Sequence, residues 1–156
     1  NKLKFVLPYA AMVQSVDSFH LLEAIDKWGR DNDKVIDILL ELHLGAEETK
    51  HGFSEEEILT LVKEAGEGIP SPAERFYHVR IRGLMGMATN TEDEGVIEGD
   101  FARIEALFKR IRAEYPALAE TFTELSIGMS GDWPLAVRHG ATMVRIGTDI
   151  FGPREY

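Results

Sequence analysis

The chain has 156 residues, of which 44% are hydrophobic and 28% charged, a composition typical of one globular domain with its own core. Its 17 basic and 27 acidic residues give a net charge of −10, which argues against nucleic acid or an anionic membrane as a partner and predicts a cytoplasmic protein. Cysteine is absent, which excludes disulfides and thiolate chemistry, and neither a signal peptide nor an apolar run of roughly 18 residues is found.

Strand and helix patterns alternate along the first half of the chain, with strands predicted at 12–16 and 35–44 and helices at 19–28 and 54–66. The apolar run 35–44 is long enough for a helix, but its flanking residues favour a buried strand. Gly29 is expected to close the first helix. Ser54 and Glu57 form a capping box that opens the second helix, and Gly66 is expected to end it.

The alternation continues after a proline-containing loop, with strands predicted at 79–87, 124–128 and 142–147 and helices at 97–115 and 133–139. Pro116 breaks or restarts the long helix. Five apolar strands joined by four helices predict a parallel sheet with covered faces, either an open doubly wound sheet or part of a (β/α)8 barrel. In both architectures ligands bind at the carboxyl ends of the strands.

Two of these strand ends carry glycine-and-hydroxyl turns. The fourth strand runs into Gly128-Met129-Ser130-Gly131, and the fifth into Gly147-Thr148. Such turns let backbone N–H groups approach a ligand and add hydroxyl donors, which is how proteins hold a phosphate without a dedicated cation. The alternative is that the glycines only make tight strand-to-helix turns. Because sequential strands can be neighbours in a sheet, two such turns together favour a phosphate site.

Arg145 lies inside the apolar run of the fifth strand, where a guanidinium is costly unless it is paired. Its structural partner would be a carboxylate such as Glu124 or Asp149, and its functional partner would be an acceptor on a ligand beside the phosphate. Arg80 and Arg82 share one face near the start of their strand, away from the ligand edge, which favours a structural role. The five histidines show no metal-binding spacing.

The closing stretch LSIGMSGDWPLAVRHGATMVRIGTDIFGPREY resembles the carboxyl-terminal signature of the YggS/PROSC group, the pyridoxal-phosphate homeostasis proteins. The stretches MVQSVDS, AEETKHGF and RGLMGM resemble upstream motifs of the same family in the same order. The resemblance implies a (β/α)8 barrel like the amino-terminal domain of alanine racemase, with pyridoxal 5′-phosphate (PLP) as cofactor. It also implies that Ser130, Gly147 and Thr148 bind the cofactor phosphate, that Arg145 faces the pyridine nitrogen, and that Met129 lines the site.

The same resemblance places the family's Schiff-base lysine at the end of the first strand, upstream of anything in this chain. Residues 1–156 are therefore expected to be the carboxyl-terminal portion of one PLP-binding barrel, with the fourth to eighth strands present and no catalytic residue of their own. Of the seven lysines, only Lys50 is predicted at a ligand edge, and a loop lysine ordinarily stays protonated. The full-length parent is expected to be a monomer, whereas five strands alone would leave two sheet edges and apolar faces open, which favours self-association.

Three functions compete at this point. The family resemblance implies a PLP carrier or buffer without robust turnover. The runner-up is a PLP-dependent amino-acid racemase, which needs a second proton-transfer group such as a tyrosine, and no tyrosine is predicted at a suitable strand end. The third is a barrel that binds sugar phosphates, which would explain the glycine turns but not the closing signature.

Overall fold

The computed structural model describes residues 2–45, 51–67 and 76–153. Within these ranges the strands form one sheet, whose order β1-β2-β3-β4-β5 is also their order along the chain. Every neighbouring pair is parallel. The strands are β1 (Val13–Val16), β2 (Ile36–Leu42), β3 (Val79–Gly86), β4 (Glu124–Met129) and β5 (Met143–Arg145). All five predicted strands are confirmed, although β5 is only three residues long.

The helices connect the strands and cover one face of the sheet. They are α1 (Leu3–Val6), α2 (Phe19–Asp31), α3 (Glu55–Glu67), α4 (Glu94–Glu114), α5 (Pro116–Ala119), α6 (Trp133–Arg138) and α7 (Thr148–Phe151). The four predicted helices are α2, α3, α4 and α6, and Pro116 restarts the chain as α5. The short helices α1 and α7 were not predicted, since one helical turn leaves no periodic pattern in a sequence.

The core lies between the outer face of the sheet and these helices. Alternate side chains of β2 point outward, and they share one buried cluster with side chains of α2, α3 and α4. Members of this cluster with full burial include Ile38, Leu40, Leu84, Ile25, Ile58, Phe101 and Ile104. Each such side chain contributes about 1.5–3 kcal/mol relative to an exposed position. This burial decides the orientation of every strand and therefore which side chains face the interior.

Side-chain caps open three of the helices. The Ser18 hydroxyl accepts from the Leu21 N–H at α2, and the Asp93 carboxylate accepts from Gly95 at α4. At α3 the predicted capping box is confirmed, because the Ser54 N–H donates to Glu57 Oε2 over 2.8 Å while the Glu57 N–H donates to Ser54 Oγ over 3.2 Å.

The two glycines that were expected to end helices do not end them. Gly29 lies within α2, which continues to Asp31. A Cβ atom there would lie 2.6 Å from the carbonyl oxygen of Lys34 and 2.8 Å from Cβ of His78, so close packing explains this glycine. Gly66 lies within α3, which continues by one residue to Glu67.

The sheet curls strongly, so that β1 meets β4 and β5 across the inner face. Gln14 on β1 accepts a hydrogen bond from the Ser126 hydroxyl on β4 over 2.7 Å, and its amide nitrogen lies 3.6 Å from Sδ of Met143 on β5. The inward side chains Leu39 and Ser126 are fully buried. The five strands thus form a half-barrel of the expected α/β class. Exposed apolar side chains include Val144 on the edge strand β5 (39% exposed) as well as Tyr9 (90%) and Phe151 (85%) beyond the two edge strands.

Gly83 allows β3 to approach β4 closely. Its φ of +155° lies in a region that L side chains rarely adopt, and a Cβ atom would lie 1.7 Å from the carbonyl oxygen of Glu124. The two residues are paired in the parallel register between these strands. The contact therefore holds the middle of the half-barrel together.

Candidate functional site

Arg145 spans three strands at the carboxyl edge of the sheet. From β5 its Nη1 donates to the carbonyl oxygen of Ser126 over 2.9 Å and to the Ser126 hydroxyl over 2.7 Å, and its Nη2 donates to the carbonyl oxygen of Gly86 over 3.0 Å. The guanidinium is partly buried, and this burial lowers the pKa of Arg145, although the charges of Glu41 and Asp132 oppose the shift. Neutral oxygen atoms thus hold the cation in place.

The two carboxylates named as possible structural partners of Arg145 lie elsewhere. Glu124 stands at the start of β4, where it accepts hydrogen bonds from the hydroxyls of Thr123 and Thr142. Asp149 lies in α7, and its backbone N–H donates to Ser130. Among the described residues no salt bridge includes Arg145. Its positive charge therefore remains available to a ligand.

Ser130 joins the two glycine-and-hydroxyl turns. Its hydroxyl oxygen accepts from the backbone N–H groups of Gly147 and Asp149, each over 3.3 Å. The turns after β4 and β5 are thus neighbours, as expected from their sequential strands. Both distances lie beyond the usual range for N–H···O bonds, so a stronger acceptor would displace the hydroxyl at little cost. An anion placed there would meet two N–H donors that already converge on one point.

The glycines of these turns differ in their surroundings: some border open space and one is required by close packing. A Cβ atom at Gly131 or Gly147 would meet no heavy atom within 4 Å, so these two positions border open space. Thr148, the first residue of α7, is exposed beside them. By contrast, Gly128 has a φ of +95° and a Cβ atom there would lie 2.6 Å from Cβ of Ala136, so its role is structural. The open side of the turns offers small residues, N–H groups and hydroxyls, and this donor set fits the oxygens of a phosphate.

Met129 belongs to the rim of a neighbouring cavity. It pairs with Arg145 in the register between β4 and β5, and its side chain is 36% exposed. The cavity has a volume of about 240 Å³ and opens at the carboxyl ends of β2, β3 and β4. Its lining comprises Glu41, Leu42, His43, Leu44, Gly45, His51, Met87, Ala88, Asn90 and Met129. The lining role predicted for Met129 thus remains a proposal, now with a cavity beside it.

Glu41 and Gln14 are polar residues of the inner face that the sequence analysis did not single out. Glu41 is only 5% exposed, and its pKa is raised by burial and by the neighbouring charge of Asp17, against the opposing charge of Arg145. The signal that could have found Glu41 is the one that found Arg145, namely a charged residue inside an apolar strand run. Gln14 had no comparable signal, because amides are common on the polar face of a short strand.

Arg80 and Arg82 have the structural role that was predicted for them. Both contact Asp37, with distances of 2.6 and 3.0 Å from Arg80 and 2.8 Å from Arg82. This cluster lies at the amino-terminal ends of β2 and β3, opposite the ligand edge. It stabilises the pairing of the two strands and leaves both arginines unavailable to a ligand.

The lysines that the structure describes lie away from the candidate site. They flank or belong to helices, and are Lys2, Lys4, Lys27, Lys34, Lys63 and Lys109. Lys50, the one candidate raised from the sequence, lies outside the described residues. Within the described ranges no group of three or more histidine or acidic residues is arranged to hold a metal ion, and no helix is long and apolar enough to cross a membrane.

Curated proteins similar to this chain are named pyridoxal phosphate homeostasis proteins. The one from Haemophilus influenzae is 32% identical over 156 residues, which is all of this chain and 62% of the relative. The one from Aquifex aeolicus is 33% identical over all of this chain and 64% of its own length. The chain therefore spans somewhat more than three-fifths of these relatives.

Solved structures share the fold. PipY of Synechococcus elongatus, determined without PLP, matches with a TM-score of 0.81 and 30% identity, over 97% of this chain and 66% of PipY. PipY with PLP bound matches with a TM-score of 0.78 and 28% identity, over the same shares of the two chains. The half-barrel is thus the arrangement that these strands also have in longer proteins.

The family model described as the alanine racemase N-terminal domain matches residues 2–155, almost the whole chain. The parallel half-barrel, the order of its strands and the likeness to PipY agree with that match. We conclude that the chain belongs to the family of the alanine racemase N-terminal domain.

Proposed function

We propose that the protein carrying this chain binds PLP and serves PLP homeostasis as a carrier or buffer, with residues 1–156 forming part of a single PLP-binding barrel. The names of the curated relatives and the PLP-bound structure of PipY support the proposal. The observation that carries it is the arrangement around Ser130, where two backbone N–H groups meet one hydroxyl beside the unpaired cation of Arg145.

We assign the phosphate of PLP to the two turns and its ring to Arg145. Ser130 and Thr148 would donate their hydroxyls and Gly147 its N–H, in a place where a glycine leaves the approach open. Arg145 would donate to the pyridine nitrogen, and because a guanidinium keeps its proton, that nitrogen would stay unprotonated. Met129 would cover the ring from the rim of the cavity. When bound, PLP supplies an aldehyde that reacts reversibly with amines.

A carrier without turnover is favoured over a racemase, although the family model bears the name of a racemase domain. A racemase needs a second proton-transfer group opposite its lysine. The tyrosines that the structure describes lie at the other edge, because Tyr9 precedes β1, Tyr77 precedes β3 and Tyr115 precedes β4. Conversion of L-alanine to D-alanine by the full-length protein would favour the racemase instead.

The first experiment is intact mass after incubation with PLP and borohydride. We expect the full-length protein to gain one adduct, whereas the 17.5 kDa chain alone gains none, because its described lysines lie away from the site. An adduct on the 17.5 kDa chain would contradict this assignment and point to Lys50.

The site itself is tested by Arg145→Ala in the full-length protein. We expect weaker PLP binding or a shifted absorption spectrum of bound PLP, because the charge facing the ring is removed. The matched control is Arg138→Ala, since Arg138 lies on α6 and its nearest carboxylate oxygen, on Glu98, is 3.6 Å away. Equal affinity and an equal spectrum in Arg145→Ala and the wild type would remove Arg145 from the site.

A further inference from the structure

Glu41 is a buried carboxyl group to which no described residue donates a hydrogen bond. It lies near the carboxyl end of β2 with its side chain facing the interior, and the residue is 5% exposed. The guanidinium of Arg145 donates to Ser126 and Gly86 rather than to Glu41. Among the described residues no side-chain oxygen is both fully buried and without a hydrogen-bond partner, so the carboxylate oxygens of Glu41 are reached from the cavity that this residue lines. The carboxyl group is therefore placed to accept from a ligand.

The cavity in front of Glu41 has walls that are mainly hydrocarbon and thioether. Leu42, Leu44, Met87, Ala88 and Met129 contribute these walls, while the imidazoles of His43 and His51 and the amide of Asn90 complete the lining. The volume of about 240 Å³ corresponds to about eight water-sized groups. That is room for a short aliphatic chain with one polar head.

The electrostatics of this cavity favour a cation. Burial raises the pKa of Glu41, and the charge of Asp17 raises it further. The Asp17 carboxylate lies 3.9 Å from Nδ1 of His51, which lines the cavity, so a second acidic group borders the same space. Arg145, His51 and His43 oppose that shift. A ligand cation beside the carboxylate would remove the penalty that burial imposes on its charged form.

We propose that this cavity binds a primary ammonium group carried on a short aliphatic chain, with Glu41 as the group that accepts its hydrogen bonds. The apolar walls would hold the aliphatic chain. The ammonium group would supply three N–H donors to the Glu41 carboxylate, which accepts no hydrogen bond from a described residue. The role of amine binding here rests on the proposed function. An amine is the reaction partner of the PLP aldehyde, and the cavity shares Met129 with the proposed PLP site.

The proposal predicts how binding depends on pH. Binding should strengthen as pH rises through the pKa of Glu41, because the ionised carboxylate is the form that attracts the cation. The other charged or titratable groups that act on Glu41 are Asp17, Arg145, His43 and His51. Binding should fall again above about pH 10, where an alkylamine and a lysine side chain lose their proton.

The test uses n-butylamine as the probe and the full-length protein without PLP, with n-butanol as the neutral match. Titration calorimetry or NMR should show butylamine binding at least about tenfold more weakly to Glu41→Gln than to the wild type, since a charge-assisted hydrogen bond is lost. Glu98→Gln, on the exposed part of α4, should bind as the wild type does. Equal affinity of butylamine in both variants would overturn the proposal. If Glu41→Gln does not fold, the test is the wild-type protein with the two ligands. Equal affinities for butylamine and butanol would then overturn the proposal.

Two further ligands distinguish the source of the ammonium group. Stronger binding of Nα-acetyl-lysine methylamide than of alanine assigns the cavity to a lysine side chain, and the reverse order assigns it to free amino acids. Binding of neither would refute the inference. PLP binding is measured separately by absorbance, so that a protein that binds PLP but no amine refutes only this inference. A protein that binds the amine but no PLP refutes only the proposed function.

Discussion

The close approach of β3 and β4 at Gly83 makes Gly83→Ala a severe substitution. The added methyl group would lie 1.7 Å from the carbonyl oxygen of Glu124, whereas ordinary contacts begin at 3.4 Å. The strands would have to separate by more than an ångström, which endangers the 2.9 Å hydrogen bond from the Thr123 N–H to Arg82 and the pairing that follows it. Overpacking, strain at positive φ and lost hydrogen bonds together predict a loss of about 3–5 kcal/mol in the free energy of unfolding.

Urea unfolding followed by far-ultraviolet circular dichroism would measure this loss. Gly99→Ala is the matched control, because Gly99 lies within the exposed part of α4 and a Cβ atom there meets nothing within 4 Å. The same chemical change should there stabilise the protein by about 0.5–1 kcal/mol through helix propensity. A loss below about 1 kcal/mol in Gly83→Ala would refute the claim that this contact holds the sheet together.

Two other predictions concern the opposite ends of the strands. Asp37→Asn should lower the free energy of unfolding at pH 7 by about 1–3 kcal/mol, because Asp37 accepts hydrogen bonds from both Arg80 and Arg82. Burial raises the pKa of Asp37, but these bonds lower it below its usual value. The difference in stability between Asp37→Asn and the wild type should therefore shrink below about pH 4, where the carboxylate becomes protonated. A constant difference in thermal unfolding at pH 7 and pH 3 would contradict this. Ser130→Ala and Thr148→Ala should each weaken PLP binding by about 1–3 kcal/mol, as measured by equilibrium titration, whereas no loss in either would make the turns purely structural.

The strands were predictable because each is an apolar run bounded by polar or glycine residues. The segment around β2 was ambiguous by length alone, and its flanks decided for a strand, which is confirmed as Ile36–Leu42. Gly29 misled the prediction because a glycine needed for close packing and one that ends a helix look alike in a sequence. The curvature that brings β1 against β4 could not be predicted from the apolar pattern, since it depends on how successive strands twist against one another.

The site was predictable in its parts and less so in its contacts. Arg145 stood out as a charge within an apolar run, yet its partners are two carbonyl oxygens and a hydroxyl, which no sequence pattern marks as acceptors. The joining of the two turns through Ser130 followed from the order of the strands. Glu41 carried the same signal as Arg145 and was missed, because the run around it was interpreted only for its apolar residues.

The order of the strands in space, which repeats their order in the chain, has a consequence for how the protein is made. Each new strand can pair at once with the strand synthesised just before it, so the sheet can grow on the ribosome by one edge at a time without waiting for later residues. The hydrogen bond between Ser126 and Gln14 joins residues 112 positions apart and must form late. Until then each nascent edge is a row of unpaired backbone groups, so the stage of greatest risk for aggregation is the pause before the next strand emerges.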